Sequence, residues 1–148
     1  MTREWTTRSA DETEALGASL LGAAPAAGTP CRVVQLSGEL GSGKSTFARG
    51  VLRALGATGP IKSPSYTLLE IYELGLVTVV HLDLYRLNDP DELENLGLAD
   101  YHEPGFLWLV EWPERAEGRL PPSDLRLRFS IGEQGHRIQR IETFTANK

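Results

Sequence analysis

The chain has 148 residues, enough for one domain with its own core and no more. Hydrophobic residues make up 41% and charged residues 24%, a globular balance that argues against intrinsic disorder. The formal net charge is −5, so a stand-alone nucleic-acid binder, normally basic, is disfavoured.

Met1-Thr2-Arg3-Glu4-Trp5 lacks the apolar core of a signal segment. No run approaches the ~18 apolar residues that a membrane helix needs, and a cytoplasmic location is the expectation. Ser9-Ala10-Asp11-Glu12 has capping-box spacing, with Ser9 as N-cap and Glu12 three residues on. Ala15, Leu16, Ser19 and Leu20 then recur at helical intervals, predicting a helix from about Ala10 to about Gly22. Cys31, the single cysteine, can form no internal disulfide and leaves no thiolate cluster for zinc. It reads as a small buried hydrophobe ahead of a strand.

Arg32 to Leu36 is short and β-branched, hence a strand. Gly38 to Gly43 is a glycine-rich turn. Ser45 to Leu55 reads as a helix with Phe47, Val51, Leu52 and Leu55 on one face and Gly56 after its end. Lys62-Ser63-Pro64-Ser65 is a loop. Tyr66 to Leu74 and Leu76 to Leu84 read as strands joined around Gly75, an antiparallel hairpin. Asn88 to Glu92 opens a helix, with a capping residue, a proline near the first turn and acids against the dipole. That helix runs to about Leu96 and ends at Gly97. Phe106 to Val110 is a continuous apolar run, a buried strand, and Pro121-Pro122 marks a loop. Leu125, Leu127, Phe129 and Ile131 alternate with Arg126, Arg128 and Ser130, giving a strand with one wet face. Gly132 to Gly135 turns the chain into a last strand, about Arg137 to Phe144. The order predicts an α/β fold with a central sheet of mixed direction flanked by helices.

The charge is unevenly spread. Residues 1–86 hold eight bases and eight acids; residues 87–114 hold eight acids and no Lys or Arg; residues 115–148 hold seven bases and four acids. The acidic stretch is either a solvated surface or a docking face for a basic partner.

Gly38-Glu39-Leu40-Gly41-Ser42-Gly43-Lys44-Ser45 fits G-x-x-x-x-G-K-[ST], the Walker A pattern, between a predicted strand and a predicted helix. Glycines let successive backbone N–H groups converge without Cβ interference. That concavity and the helix N-terminus suit phosphate oxygens. Lys44 supplies a mobile charge for the outer phosphates, and Ser45 a hydroxyl for Mg²⁺. Such a loop needs a carboxylate at a nearby strand end. Leu107-Trp108-Leu109-Val110-Glu111 and Val79-Val80-His81-Leu82-Asp83 both end in one. Carboxylates at the C-terminal ends of strands sit where open α/β sheets bind ligands. The hydroxyls of Ser63-Pro64-Ser65-Tyr66-Thr67 lie in the interval that commonly senses the outer phosphate. His81 is a proton carrier or a structural residue. The pattern defines a single P-loop NTPase-like domain over 1–148.

Four motifs stand in order: Gly38 to Thr46; Lys62-Ser63-Pro64-Ser65-Tyr66-Thr67-Leu68; His81-Leu82-Asp83-Leu84-Tyr85-Arg86; and Val110-Glu111-Trp112-Pro113. Together they resemble the bacterial TsaE (YjeE) family over nearly the whole chain. The resemblance implies a cytoplasmic ATPase required for threonylcarbamoyladenosine at position 37 of tRNAs reading codons that start with A. It implies action with TsaD and TsaB, which carry out the transfer, so that tRNA is met through the complex. It further implies ATP and Mg²⁺ as cofactors. Glu39, Leu40, Gly41, Ser42, Gly43, Lys44, Ser45 and Thr46 would meet the phosphates. Ser45, Asp83 and Glu111 would hold Mg²⁺, and Lys44, Asp83 and Glu111 would act in hydrolysis. Trp112 would function beside Glu111, Asp11 and Glu12 would lie near the adenine, and the region around Gly135, His136 and Arg137 near the nucleotide. Ser45 and Ser65 stand where threonine is common, and both keep a hydroxyl. Ser42 stands where alanine is frequent.

Two other readings compete. A small-molecule kinase usually carries an arginine-bearing lid, and the long candidate, 87–114, has no arginine. A nucleotide-gated switch without productive turnover is the nearer alternative. The guanine-reading Asn-Lys-x-Asp motif is absent, Asn147-Lys148 being the one Asn-Lys pair.

Overall fold

The computed structural model describes residues 3–64 and 66–141. Among them lie seven strands: β1 (Glu4–Thr7), β2 (Arg32–Gly38), β3 (Leu69–Leu74), β4 (Val77–Asp83), β5 (Phe106–Glu111), β6 (Leu125–Gly132) and β7 (Gly135–Ile141). Two α-helices, α1 (Ala10–Leu21) and α2 (Lys44–Ala54), accompany them. The strands form one sheet in the order β1-β7-β6-β2-β5-β4-β3. β6, β2, β5 and β4 run parallel, while β1, β7 and β3 are paired antiparallel at the two margins. The expected α/β fold with a mixed sheet is thus the observed one. No helix of the described residues is long and apolar enough to cross a membrane.

Both faces of the central strands are covered, which explains the unbroken apolar run of β5. Leu107 and Leu109 join Val34, Leu36, Phe47, Val51 and Val79 in a core beneath the two helices. Trp108 and Val110 join Val33, Val80, Leu82, Leu84 and Leu93 in a second core on the opposite face. That second face is covered by 3-10 helices over Pro90–Leu96 and Pro113–Ala116. The segment expected as an ordinary helix after Asn88 is therefore a tighter one. Asp89 caps it, its carboxylate accepting from Asp91 N at 3.0 Å, and Glu92 N donates back to Asp89 O at 2.9 Å, a three-residue spacing. Gly97 ends it at φ 65, as expected. Part of the acidic stretch is used here: Glu92 takes the Asn88 and Asp89 amides, and Asp91 pairs with Arg119.

At the start of α1, Ser9 Oγ accepts from Glu12 N at 3.1 Å, while the Glu12 carboxylate accepts from Arg8 N at 2.8 Å. The box closes one residue earlier than its usual form. β3 begins at Leu69 and not at Tyr66, because Leu68 sits at φ 68, outside strand geometry. The four-residue β1 carries no strand signal in its residues. The expected end of the last strand at Phe144, the Ser65 hydroxyl and Asn147-Lys148 lie outside the described residues.

The two helices touch through glycine. A Cβ on Gly50 would lie 2.1 Å from Glu14 O, and one on Gly17 would lie 2.4 Å from Phe47 O. In an unpacked helix, Gly50→Ala would gain ~1 kcal/mol of propensity. Here the backbone of α1 occupies the space, and overpacking a rigid contact costs ~1–3 kcal/mol or more. Gly50→Ala is expected to lower the melting temperature by several degrees, at ~2–4 °C per kcal/mol. A rise in melting temperature would show that the helices can part without cost.

Candidate functional site

β2 delivers the chain to the glycine loop, and α2 leaves it. A Cβ on Gly38 would come within 2.3 Å of Phe129 O on the neighbouring β6, so that position admits no side chain. Gly43 holds φ 109 and faces His136, whose Nδ1 would be 3.2 Å from an added Cβ. As the N-cap of α2, Gly43 provides no side-chain hydrogen bond. The first-turn amides of α2 are therefore left for an anion. Lys44 Nζ folds back over the loop, donating to Gly38 O and, at 2.9 Å, to Glu39 O. The same ammonium stands 4.5 Å from the centre of the Trp112 ring.

Two carboxylates face this loop from adjacent parallel strands. In register, Asp83 of β4 lies beside Glu111 of β5, and Glu111 beside Leu36 of β2. Glu111 Oε1 accepts from Ser45 Oγ at 2.9 Å, and Glu111 Oε2 lies 2.7 Å from His81 Nε2. Asp83 Oδ1 accepts the Tyr85 N–H at 3.1 Å. Burial, and then the Glu111 charge beside it, pushes the Asp83 carboxyl above the usual aspartate range; the Tyr85 amide, His81 and Lys44 pull the other way. Burial likewise lowers the Lys44 ammonium, against the pull of Glu111 and Asp83. β5 stops at Trp112, which adopts a left-handed φ of 59. Its ring centre lies 4.8 Å from that of Tyr85, the planes tilted by 48°, and the Arg115 guanidinium lies 5.3 Å from the Tyr85 ring and 5.9 Å from the Trp112 ring.

These groups wall an open cleft of about 850 Å³. Of the residues expected from sequence, Leu40, Gly41, Gly43, Lys44, Ser45, Thr46, Asp83, Glu111, Trp112 and Gly135 line it. Ser63, from the 63–67 segment, lines it as well, whereas Asp11, Glu12, Glu39, Ser42 and Arg137 stand outside its wall. Asp11 and Glu12 are exposed on the first turn of α1, and Glu12 is engaged with the Arg8 amide. Glu39 accepts from Lys44 through its carbonyl, and its charge favours the Lys44 ammonium. The Ser42 hydroxyl is buried under the loop towards Gly38. Arg137 pairs with Glu4 at 3.3 Å in a separate groove. Thr7, Arg8, Thr13, Tyr85, Arg86 and His136 also line the cleft. Tyr85 and Arg86 close the His81–Arg86 motif, two and three residues after Asp83, and the motif marks them. Thr7 and Thr13 share a 2.6 Å hydrogen bond that joins β1 to α1, which no spacing rule announces.

The donor set is one hydroxyl and two carboxylates, hard oxygen ligands suited to Mg²⁺. Among the described residues no group of three His, Cys, Asp or Glu side chains forms a protein cage for a metal. Mg²⁺ is commonly held by one or two carboxylates together with substrate phosphates and water. The residues therefore fit a cation that arrives with a phosphate ligand.

A family model described as threonylcarbamoyl adenosine biosynthesis protein TsaE matches residues 7–140. The tRNA threonylcarbamoyladenosine biosynthesis protein TsaE of Bacillus subtilis is 38% identical over 143 residues, covering 97% of this chain and 85% of that protein. Its counterpart from Haemophilus influenzae is 41% identical over 109 residues, covering 74% and 69%. The crystal structure of Bacillus subtilis YdiB superimposes with a TM-score of 0.73 at 32% identity, over 95% of this chain and 84% of that one. With a match spanning β1 to β7 and relatives this close over most of their length, the chain belongs to the TsaE family of threonylcarbamoyladenosine biosynthesis proteins.

Proposed function

We propose that the chain is a Mg²⁺-dependent ATPase of the cytoplasm. It serves threonylcarbamoyladenosine formation at position 37 of tRNAs reading codons that start with A, together with TsaD and TsaB. The observation that carries this reading is a convergence. The uncapped start of α2, the Lys44 ammonium and the Asp83 and Glu111 carboxylates all meet in one cleft. The amides and Lys44 bind and orient the phosphates. Ser45, Glu111 and Asp83 hold Mg²⁺, which offsets phosphate charge when bound. Asp83 also orients a water for attack on the γ-phosphorus. The new P–O bond forms as the bond to the β–γ bridging oxygen breaks, ADP leaves with that electron pair, and the water proton passes to a carboxylate. The Trp112 ring, backed by Tyr85, lies against the Lys44 ammonium.

An acidic chain is a poor RNA binder by itself, so tRNA is met through the partners. The purified protein is expected to release phosphate from ATP slowly, and depletion is expected to leave tRNA without the modification. Full modification in depleted cells would sink the pathway assignment. Single-turnover hydrolysis with and without the partners separates an ATPase from a switch that never turns over. Transfer of γ-phosphate to a metabolite instead of water would point to a kinase.

A further inference from the structure

We infer that His81 is a positioning residue for this site: its imidazole holds Glu111 so that Oε1 stays turned towards Ser45. The inference rests on the Mg²⁺–ATP reading. His81 and Glu111 are each 2% exposed, and a carboxylate so buried needs a partner at each oxygen. Glu111 has them from two different elements: Ser45 Oγ of α2 at 2.9 Å on Oε1, and His81 Nε2 of β4 at 2.7 Å on Oε2. The carboxylate is thereby fixed in rotation, with one oxygen committed to the strand and the other presented to the loop.

The tautomer follows from burial. His81 Nδ1 is buried with no hydrogen-bond partner among the described residues. A proton on Nδ1 in place of Nε2 would strand a donor there and set the Nε2 lone pair against a carboxylate oxygen. The proton therefore sits on Nε2 and is donated to Glu111.

The register shows why a plain core residue does not serve. Val77, Val79, His81 and Asp83 alternate along β4, beside Leu107, Leu109 and Glu111 of β5. Val77, Val79, Leu107 and Leu109 of these rows belong to the core beneath the helices. The residue directly beside Glu111 is Asp83, a like charge. Without the imidazole, Oε2 has no donor, and its one polar neighbour on β4 repels it. Partners one step removed from a metal typically change metal affinity or activity by ~10–100-fold when lost.

Three variants separate positioning from packing. His81→Leu removes the donor and keeps an apolar filler. His81→Gln returns an N–H at similar reach. His81→Asn carries the same group too short to reach Glu111. Binding of a non-hydrolysable ATP analogue is followed by calorimetry across a Mg²⁺ series, with ATP turnover and nucleotide-free melting measured alongside. His81→Leu and His81→Asn are expected to need ~10–100-fold more Mg²⁺ for half-maximal tightening and to lose turnover in proportion. His81→Gln is expected to recover most of both, and Mg²⁺-free analogue binding is expected to match wild type throughout. An unchanged Mg²⁺ requirement in His81→Leu overturns the inference. So does equal impairment of the Gln and Asn variants, which decides the matter even where the leucine variant fails to fold. A wild-type protein that binds the analogue identically with and without Mg²⁺ overturns the underlying metal–nucleotide reading, which is a different result.

Discussion

Asp83→Asn is expected to lower ATP turnover by ~10²–10⁴-fold, the range for removing a positioned acid–base group. Nucleotide affinity should change by no more than a few-fold, because Lys44 and the α2 amides remain. The same substitution is expected to raise the melting temperature of the nucleotide-free protein at neutral pH. Burial and the neighbouring Glu111 charge hold the Asp83 carboxyl above its ordinary value. The ionised form is thus disfavoured by the fold relative to the unfolded chain, and above the raised value it costs stability. As pH falls through that value the folded protein takes up the proton first, and the cost diminishes. Below the ordinary aspartate range both states are protonated and the cost is gone. The advantage of Asp83→Asn over wild type should therefore be largest at neutral pH and vanish in acid. Phosphate release and a melting series across pH test the two halves separately. Wild-type turnover in the variant would remove Asp83 from the chemistry. A lower melting temperature at neutral pH would show that the Tyr85 amide, at 3.1 Å, offsets the burial.

Local chemistry made the loop and the central strands legible before any coordinates. The glycines of 38–45 are demanded by close approach and left-handed backbone at Gly38 and Gly43, and such demands leave a residue-type signature. β5 reads as buried because both of its faces are buried. What stayed hidden is held by non-local pairing. β1 is four residues of mostly polar sequence that become a strand because β7, more than a hundred residues on, offers an edge. The part of the cleft wall that β1 adds, with Thr7 and Arg8, is hidden for the same reason, while Gly135 and His136 beside it are reached through resemblance alone. Resemblance supplied Asp11 and Glu12 for the adenine end, and the helix start puts them on an exposed turn while their neighbours Ser9, Ala10 and Thr13 line the cleft. Which residues of this turn face the cleft depends on where α1 is clamped by Gly17 and Gly50.

Lys44→Ala is expected to weaken nucleotide binding by ~10–100-fold, the worth of a charge-assisted hydrogen bond to phosphate. Turnover should fall by ~10²–10³-fold beyond that, as for loss of one preorganised electrostatic group. Lys44→Arg should not rescue it, because a planar fork cannot replace a compact ammonium seated between two carbonyls and a Trp112 face. In stability the charge of Lys44 alone is, like that of Asp83, disfavoured by burial; the melting temperature is nonetheless expected to fall, because the alanine variant loses the packing of a buried stem and its hydrogen bonds to Gly38 O and Glu39 O. Lys44 is buried, and Glu111 and Asp83 both favour its charged form. Its loss takes a buried counter-charge from two buried carboxylates and one donor each from the Gly38 and Glu39 carbonyls. The double variant Lys44→Ala/Asp83→Asn then carries one buried carboxylate fewer beside the missing charge. Groups in one electrostatic network do not act additively. The double variant should therefore recover more of the lost melting temperature than Asp83→Asn adds to the wild type, at neutral pH and without nucleotide. Strict additivity would mean that Lys44 and Asp83 do not feel one another, and the cleft could not then be one coupled electrostatic unit.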